Sequence, residues 1–145
     1  MRTDCALNII LSGMPGAGKS TVGVLLAKRL GYQFVDTDLL LQTQQQCRLQ
    51  QIIARVGLNA FKDIEADVLC NLETSHSVVA TGGSAVYSEL AMARLKMLGQ
   101  LVFIDIPLEE LLERVNDMDN RGLVIGPNET YEHLYAERQP LYKKY

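Results

Sequence analysis

Leu7-Asn8-Ile9-Ile10-Leu11-Ser12-Gly13-Met14-Pro15-Gly16-Ala17-Gly18-Lys19-Ser20-Thr21 opens the readable part of the chain. Leu7 to Leu11 is a short, mostly apolar run that stops at Ser12-Gly13, the pattern of a buried parallel strand. From Lys19 to Leu30, Val22, Leu25, Leu26 and Leu30 recur at helical spacing, and Gly31 supplies a stop. Between strand and helix, Gly13 to Ser20 satisfies GxxxxGK[ST] in full. Glycines at those places let the backbone curl so that its N–H groups converge on an anion at the positive end of the following helix.

A strand, this loop and a helix in that order make a phosphate-binding P-loop. Gly13, Gly16, Ala17, Gly18, Lys19, Ser20 and Thr21 are the expected ATP phosphate-binding residues. Lys19 is placed against the β- and γ-phosphates, and the Ser20 hydroxyl on a Mg²⁺ ion. The alternative, an ordinary glycine-rich turn, explains neither the lysine nor the hydroxyl. The loop alone does not separate a kinase from a GTPase or a motor ATPase. No NKxD guanine signature occurs, and no second domain is apparent to transmit a stroke.

Outward from the loop, Tyr32 to Asp36 reads as a second strand, Val78 to Thr81 as a third and Leu101 to Asp105 as a fourth. Between the second and third lies a helical but polar stretch, Leu39 to Gly57, rich in glutamine. It reads as exposed helices outside the sheet or as a disordered glutamine segment. Phe61, Ile64, Val68 and Leu72 mark the next helix, Ser88 to Leu98 another, and Pro107 opens a helix striped with Leu108, Leu111, Leu112 and Val115. Thr130 to Tyr145 should be a last helix, interrupted or kinked by Pro140. Strands alternating with helices imply a parallel sheet covered on both faces, an α/β architecture. The polar stretch 116–128, with Gly122, Gly126 and Pro127, reads as a lid loop.

The whole chain, 1–145, is expected to be one domain, with a helical acceptor-binding region at about 37–66. Its 145 residues are 48% apolar and 21% charged, which argues against wholesale disorder. No apolar run is long enough to span a bilayer, and no basic leader with a cleavage site is visible. Cys5, Cys47 and Cys70 are odd in number and lack CxxC spacing, as reduced thiols of a cytoplasmic protein would be. A net charge of −3 speaks against a nucleic-acid partner.

Asp36-Thr37-Asp38 falls at the carboxyl edge of the sheet, where α/β folds bind their ligands. Two carboxylates one residue apart on extended chain would point the same way, one toward Mg²⁺ waters and one toward an attacking hydroxyl. Arg114 reads either as reaching the adenine end of the nucleotide or as a helix-surface salt bridge.

With these motifs in place the sequence resembles the shikimate kinases, P-loop small-molecule kinases related to the nucleoside monophosphate kinases. The resemblance rests on GMPGAGKST (13–21), FVDTD (34–38), FKDIE (61–65), ATGGS (80–84), RGL (121–123) and ERQPLY (137–142). It implies a three-layer P-loop kinase fold whose parallel sheet has the order 2-3-1-4, with the family's fifth strand absent from this chain. It implies transfer of the ATP γ-phosphoryl to the 3-hydroxyl of shikimate, in aromatic amino acid biosynthesis, with Mg²⁺ required and the protein a monomer. Lys19, Asp38 and Arg121 are the implied catalytic residues. Asp38, Lys62, Gly82, Gly83 and Arg138 are the implied acceptor ligands, Ser20 and Asp36 (through water) hold the metal, and Phe61 and Glu65 line the pocket. A kinase of another small hydroxylated acceptor and a catalytically weak nucleotide-binding homologue are the other readings.

Three residues depart from the family pattern. Lys62 stands where an arginine is usual, keeping the charge but losing the planar fork. Ser84 replaces a third glycine, with strain expected if that position needs positive φ. Gly122 replaces the proline after the lid arginine.

Overall fold

The structure, a computed structural model, describes residues 7–117 and 129–145. Cys5, Arg121, Gly122 and the lid segment beyond Asp117 therefore lie outside the described residues.

Four strands, β1 (Asn8–Ser12), β2 (Gln33–Asp36), β3 (Ser77–Ala80) and β4 (Gly99–Phe103), form one parallel sheet in the order β2-β3-β1-β4. Helices α1 (Lys19–Leu30), α2 (Thr37–Gln45), α3 (Leu49–Val56), α4 (Leu58–Cys70), α5 (Glu89–Leu98), α6 (Leu108–Asp117) and α7 (Tyr131–Lys144) surround it. β3 is buried at every position, as a central parallel strand should be. Asn8, which interrupts the apolar run of β1, is 2% exposed. Its Nδ2 donates to the Thr74 and Leu98 carbonyls and its Oδ1 accepts from Ser77 N–H, so one amide joins the entrances of three strands. Cys47 and Cys70 are free thiols. No helix among the described residues is long and apolar enough to cross a membrane.

The boundaries of α1 agree with the sequence reading, but of its apolar stripe only Leu26 packs against the core. Val22, Leu25 and Leu30 are 45%, 63% and 45% exposed, whereas Gly23 and Ala27 are buried. A Cβ on Gly23 would stand 2.6 Å from Phe34 Cε2 and 3.3 Å from Leu11 Cδ1, so the helix meets the sheet through its smallest residues. Close approach at Gly23 and Ala27, together with Leu26, joins α1 to the sheet.

The glutamine-rich stretch is ordered helix. Leu41, Leu49 and Ile52 pack with Phe61 and Val68 of α4 into a small apolar cluster, separate from the core beneath α5, α6 and α7. α2 and α3 are thus outside the sheet but not simply exposed. A short 3-10 turn, Ala85–Tyr87, precedes α5 and had no counterpart in the sequence reading. Asn116 and Asp117, counted with the lid, close α6. α7 runs unbroken through Pro140. The proline removes one internal hydrogen bond, but Tyr131, Leu134, Arg138 and Tyr142 are all buried along one face and hold the helix to the body.

Candidate active site

The P-loop lies at the carboxyl end of β1. Gly16 and Gly18 have φ of 85° and 94°, a region that side-chain-bearing residues enter at a cost, which explains the glycines locally. Gly18 caps α1, and Lys19 is its first residue. Lys19 is 9% exposed, and its Nζ donates to the carbonyls of Gly13 at 2.5 Å and Met14 at 2.9 Å. Burial lowers the ammonium to a pKa of about 8, opposed chiefly by the negative charge of Asp38. A second cation reaches the loop from α6: Arg114 Nη1 donates to Gly16 O and Ala17 O, both at 3.3 Å. Arg114 also forms the helix-surface pair with Glu110, at 3.6 Å, as one of its two readings has it.

Asp36 and Asp38 do not lie together on extended chain. Asp36 ends β2 and is the N-cap of α2: its Oδ1 accepts from Asp38 N–H at 3.0 Å and Leu39 N–H at 3.2 Å. Its Oδ2 accepts from Ser20 Oγ at 3.2 Å. The capping aspartate starts a helix at once, which puts Asp38 in its first turn, still within reach of the Asp36 charge. Asp38 is raised to a pKa of about 6, first by burial and then by Asp36, with Lys19 opposing.

The ATGGS segment fills the space between charges. A Cβ on Gly82 would lie 2.6 Å from both Asp38 Oδ1 and Glu65 Oε2, and one on Gly83 would lie 2.8 Å from Arg138 Nη1 and 2.9 Å from Pro15 Cδ. Both glycines are required by what surrounds them. Ser84 has φ −89°, an ordinary helical value, so the strain expected from replacing a glycine is absent. Its buried hydroxyl instead donates to Glu65 Oε1 at 2.5 Å. Glu65 is 4% exposed, and burial raises it to a pKa of about 7 against the pull of the Ser84 hydrogen bond.

Arg138, 1% exposed, enters from α7. Tyr131 Oη donates to Pro15 O at 2.6 Å and Tyr142 Oη donates to Gly83 O at 2.7 Å, so two tyrosines on the same helix face bolt it to the P-loop and the glycine turn. Arg138 Nε donates to Tyr87 Oη at 3.1 Å. Lys62 of α4 rests with its Nζ 4.1 Å from the centroid of the same Tyr87 ring. Lys62, Glu65, Ser84 and Tyr87 line a cleft of about 390 Å³.

Lys19 interacts electrostatically with Asp38, Glu65 and Arg138, and Glu65 with Asp38 and Arg138, so residues from α1, α2, α4 and α7 converge. Arg121 lies outside the described residues. The sequence reading assigned no role to Tyr87, Tyr131 or Tyr142. Tyr142 stands one helical turn beyond Arg138, a spacing that could have pointed to it, whereas nothing local signals Tyr87.

A parallel sheet carrying a P-loop, an acidic residue opposite its lysine and a cation-lined cleft beside it define a P-loop small-molecule kinase. Comparison with known proteins narrows the class. A family model described as shikimate kinase matches residues 15–145. The chain is similar to the shikimate kinase of Synechococcus sp. (strain RCC307), with 41% identity over 139 residues, covering 93% of this chain and 71% of the relative. It is also similar to that of Aquifex aeolicus (strain VF5), with 37% identity over 139 residues, covering 95% and 83%. Among solved structures, shikimate kinase from Acinetobacter baumannii in complex with shikimate aligns with a TM-score of 0.86 at 34% identity, over 95% of this chain and 79% of that one. The chain belongs to the shikimate kinase family, which uses ATP as phosphoryl donor.

Proposed function

We propose that the protein transfers the γ-phosphoryl group of ATP to the 3-hydroxyl of shikimate, as one catalytic domain acting as a monomer in the cytoplasm. The observation that supports this reading is the electrostatic interaction of buried Lys19 with both Asp38 and Arg138, candidate groups for the phosphate, hydroxyl and carboxylate ends of the reaction. The P-loop N–H groups and Lys19 hold the β- and γ-phosphates, and Lys19 exchanges its Gly13 and Met14 carbonyl partners for phosphate oxygens. Asp38 orients the acceptor hydroxyl and takes its proton as the new O–P bond forms and the bond to the ADP oxygen breaks. A carboxylate with a pKa of about 6 is ionised at neutral pH and still basic enough for that proton. Lys62 and Arg138 hold the carboxylate of the acceptor. Arg121 is assigned to the phosphates, where its charge would stabilise the transition state.

Ser20 and Asp36 fit a Mg²⁺ ion: a hydroxyl and a carboxylate oxygen already 3.2 Å apart are the hard donors this ion takes. When bound there, Mg²⁺ would neutralise phosphate charge as it shifts toward ADP. The test is coupled ADP release from Mg-ATP with shikimate, quinate, gluconate, nucleosides or no acceptor. Shikimate-dependent turnover of about 1 s⁻¹ or more is expected; ADP release indifferent to shikimate would reject the assignment.

A further inference from the structure

The Tyr87 side chain touches both cations assigned to the acceptor's carboxylate. Its ring centroid lies 4.1 Å from Lys62 Nζ and 5.2 Å from Arg138 Cζ, both within cation–π range. Its hydroxyl accepts from Arg138 Nε at 3.1 Å, and it also hydrogen-bonds the Glu137 side chain. The ring sits on the cleft wall beside Lys62, in the 3-10 turn that leads from Ser84 into α5. That turn is anchored on both sides, by Ser84 bonding Glu65 and by Ser88 capping α5. The ring is therefore carried by a well-supported backbone.

The two cations differ in what holds them. Arg138 is 1% exposed and fixed between Gly83 and Tyr87, whereas Lys62 is half-buried on a flexible four-carbon stem. An ammonium lacks the planar fork that would aim it at a carboxylate, so something else must set its position. The face of an aromatic ring does this without neutralising the charge, because it attracts the cation yet leaves its N–H donors facing the cleft.

We propose that Tyr87 is a positioning and specificity residue for the acceptor's carboxylate: the ring steers Lys62 and the hydroxyl orients Arg138, so that the two cations present a fixed pair of donors to a monocarboxylate. The proposal rests on the kinase reading above. It makes Lys62 and Tyr87 a unit in which the tyrosine compensates for the missing guanidinium fork.

Steady-state kinetics on the wild type, Tyr87→Phe and Tyr87→Leu test it, with KM for shikimate and for ATP measured separately. Tyr87→Leu removes ring and hydroxyl and should raise KM for shikimate about tenfold, with kcat within about threefold and KM for ATP unchanged. Tyr87→Phe keeps the ring and should recover part of that loss. Lys62→Arg placed on Tyr87→Leu, restoring a fork, should lower KM again. Tyr87 would be structural only if KM for shikimate stayed put in both variants, or if both Michaelis constants rose and kcat fell together. Should Tyr87→Leu fail to fold by circular dichroism, Tyr87→Phe decides alone, a KM for shikimate equal to that of the wild type overturning the role of Tyr87. A wild type without shikimate-dependent turnover overturns the functional reading itself, whereas active wild type with indifferent variants overturns only the role of Tyr87.

Discussion

Ser84 Oγ donates a 2.5 Å hydrogen bond to Glu65 Oε1, and both residues are buried. The bond favours the ionised form of Glu65, while burial works against it and leaves the carboxyl at a pKa of about 7. Removing the donor should therefore harm the carboxylate more than the carboxylic acid. Ser84→Ala is expected to destabilise the protein by about 1–3 kcal/mol at pH 8 and by clearly less at pH 5. Urea unfolding at the two pH values checks this, and an equal loss at both would show that the bond does not discriminate between protonation states.

Asp38 and Glu65 both titrate above their ordinary values, at about 6 and about 7 instead of 3.8 and 4.5. Between the unfolded and folded values the native state binds more protons than the unfolded chain, so stability falls as pH rises through about 4 to 7. Lys19 is shifted the other way, from 10.5 to about 8, so above pH 8 the unfolded chain binds the extra proton and stability recovers until about 10.5. Without nucleotide, the midpoint of thermal unfolding should follow this course. In the double variant Asp38→Asn, Glu65→Gln the descending limb should flatten; a slope unchanged by both substitutions would assign it to other groups.

If Asp38 accepts the hydroxyl proton, kcat/KM for shikimate rises with pH and levels off above a pKa near 6. In Asp38→Asn, kcat should drop by a factor of about 10² or more while ATP binding persists. Titration calorimetry with ATP alongside the pH–rate profile separates the two effects. Persistence of the acidic limb in the asparagine variant would remove Asp38 from the proton's path.

Gly83 has no room for a methyl group between Arg138 and Pro15. Gly83→Ala should displace Arg138 or the P-loop, costing about 1–3 kcal/mol of stability and raising KM for shikimate. Gly31 is an instructive control: space around it is open and only its φ of 70° opposes a side chain. Gly31→Ala should lose about 1 kcal/mol with kinetics unchanged. If Gly83→Ala behaves like Gly31→Ala, the tight contact has no functional weight.

Local signals on the chain determined much of this protein. The spacing of three glycines, a lysine and a serine is a covalent pattern, and the positive φ at Gly16 and Gly18 follows from those residues alone. The alternation of apolar runs with helical periods likewise determined a parallel sheet, because such strands must be covered on both faces. What local periodicity could not carry was which face a helix turns inward. Val22, Leu25 and Leu30 make the better apolar stripe, yet α1 packs through Gly23 because Phe34, from a strand reached only after the chain turns at Gly31, needs that space. In the same way Asp36 and Asp38 read as a pair on extended chain, but the capping bonds of Asp36 put Asp38 into the first turn of α2 while Asp36 itself contacts Ser20. Ser84 reads as a strained replacement for glycine, and only the approach of α4 makes it a hydrogen-bond donor to Glu65. Tyr87 lies 25 residues from Lys62 and 51 from Arg138 in the chain. Their meeting belongs to the tertiary structure, since nothing but the packing of α4 and α7 against the turn before α5 brings two cations onto one ring.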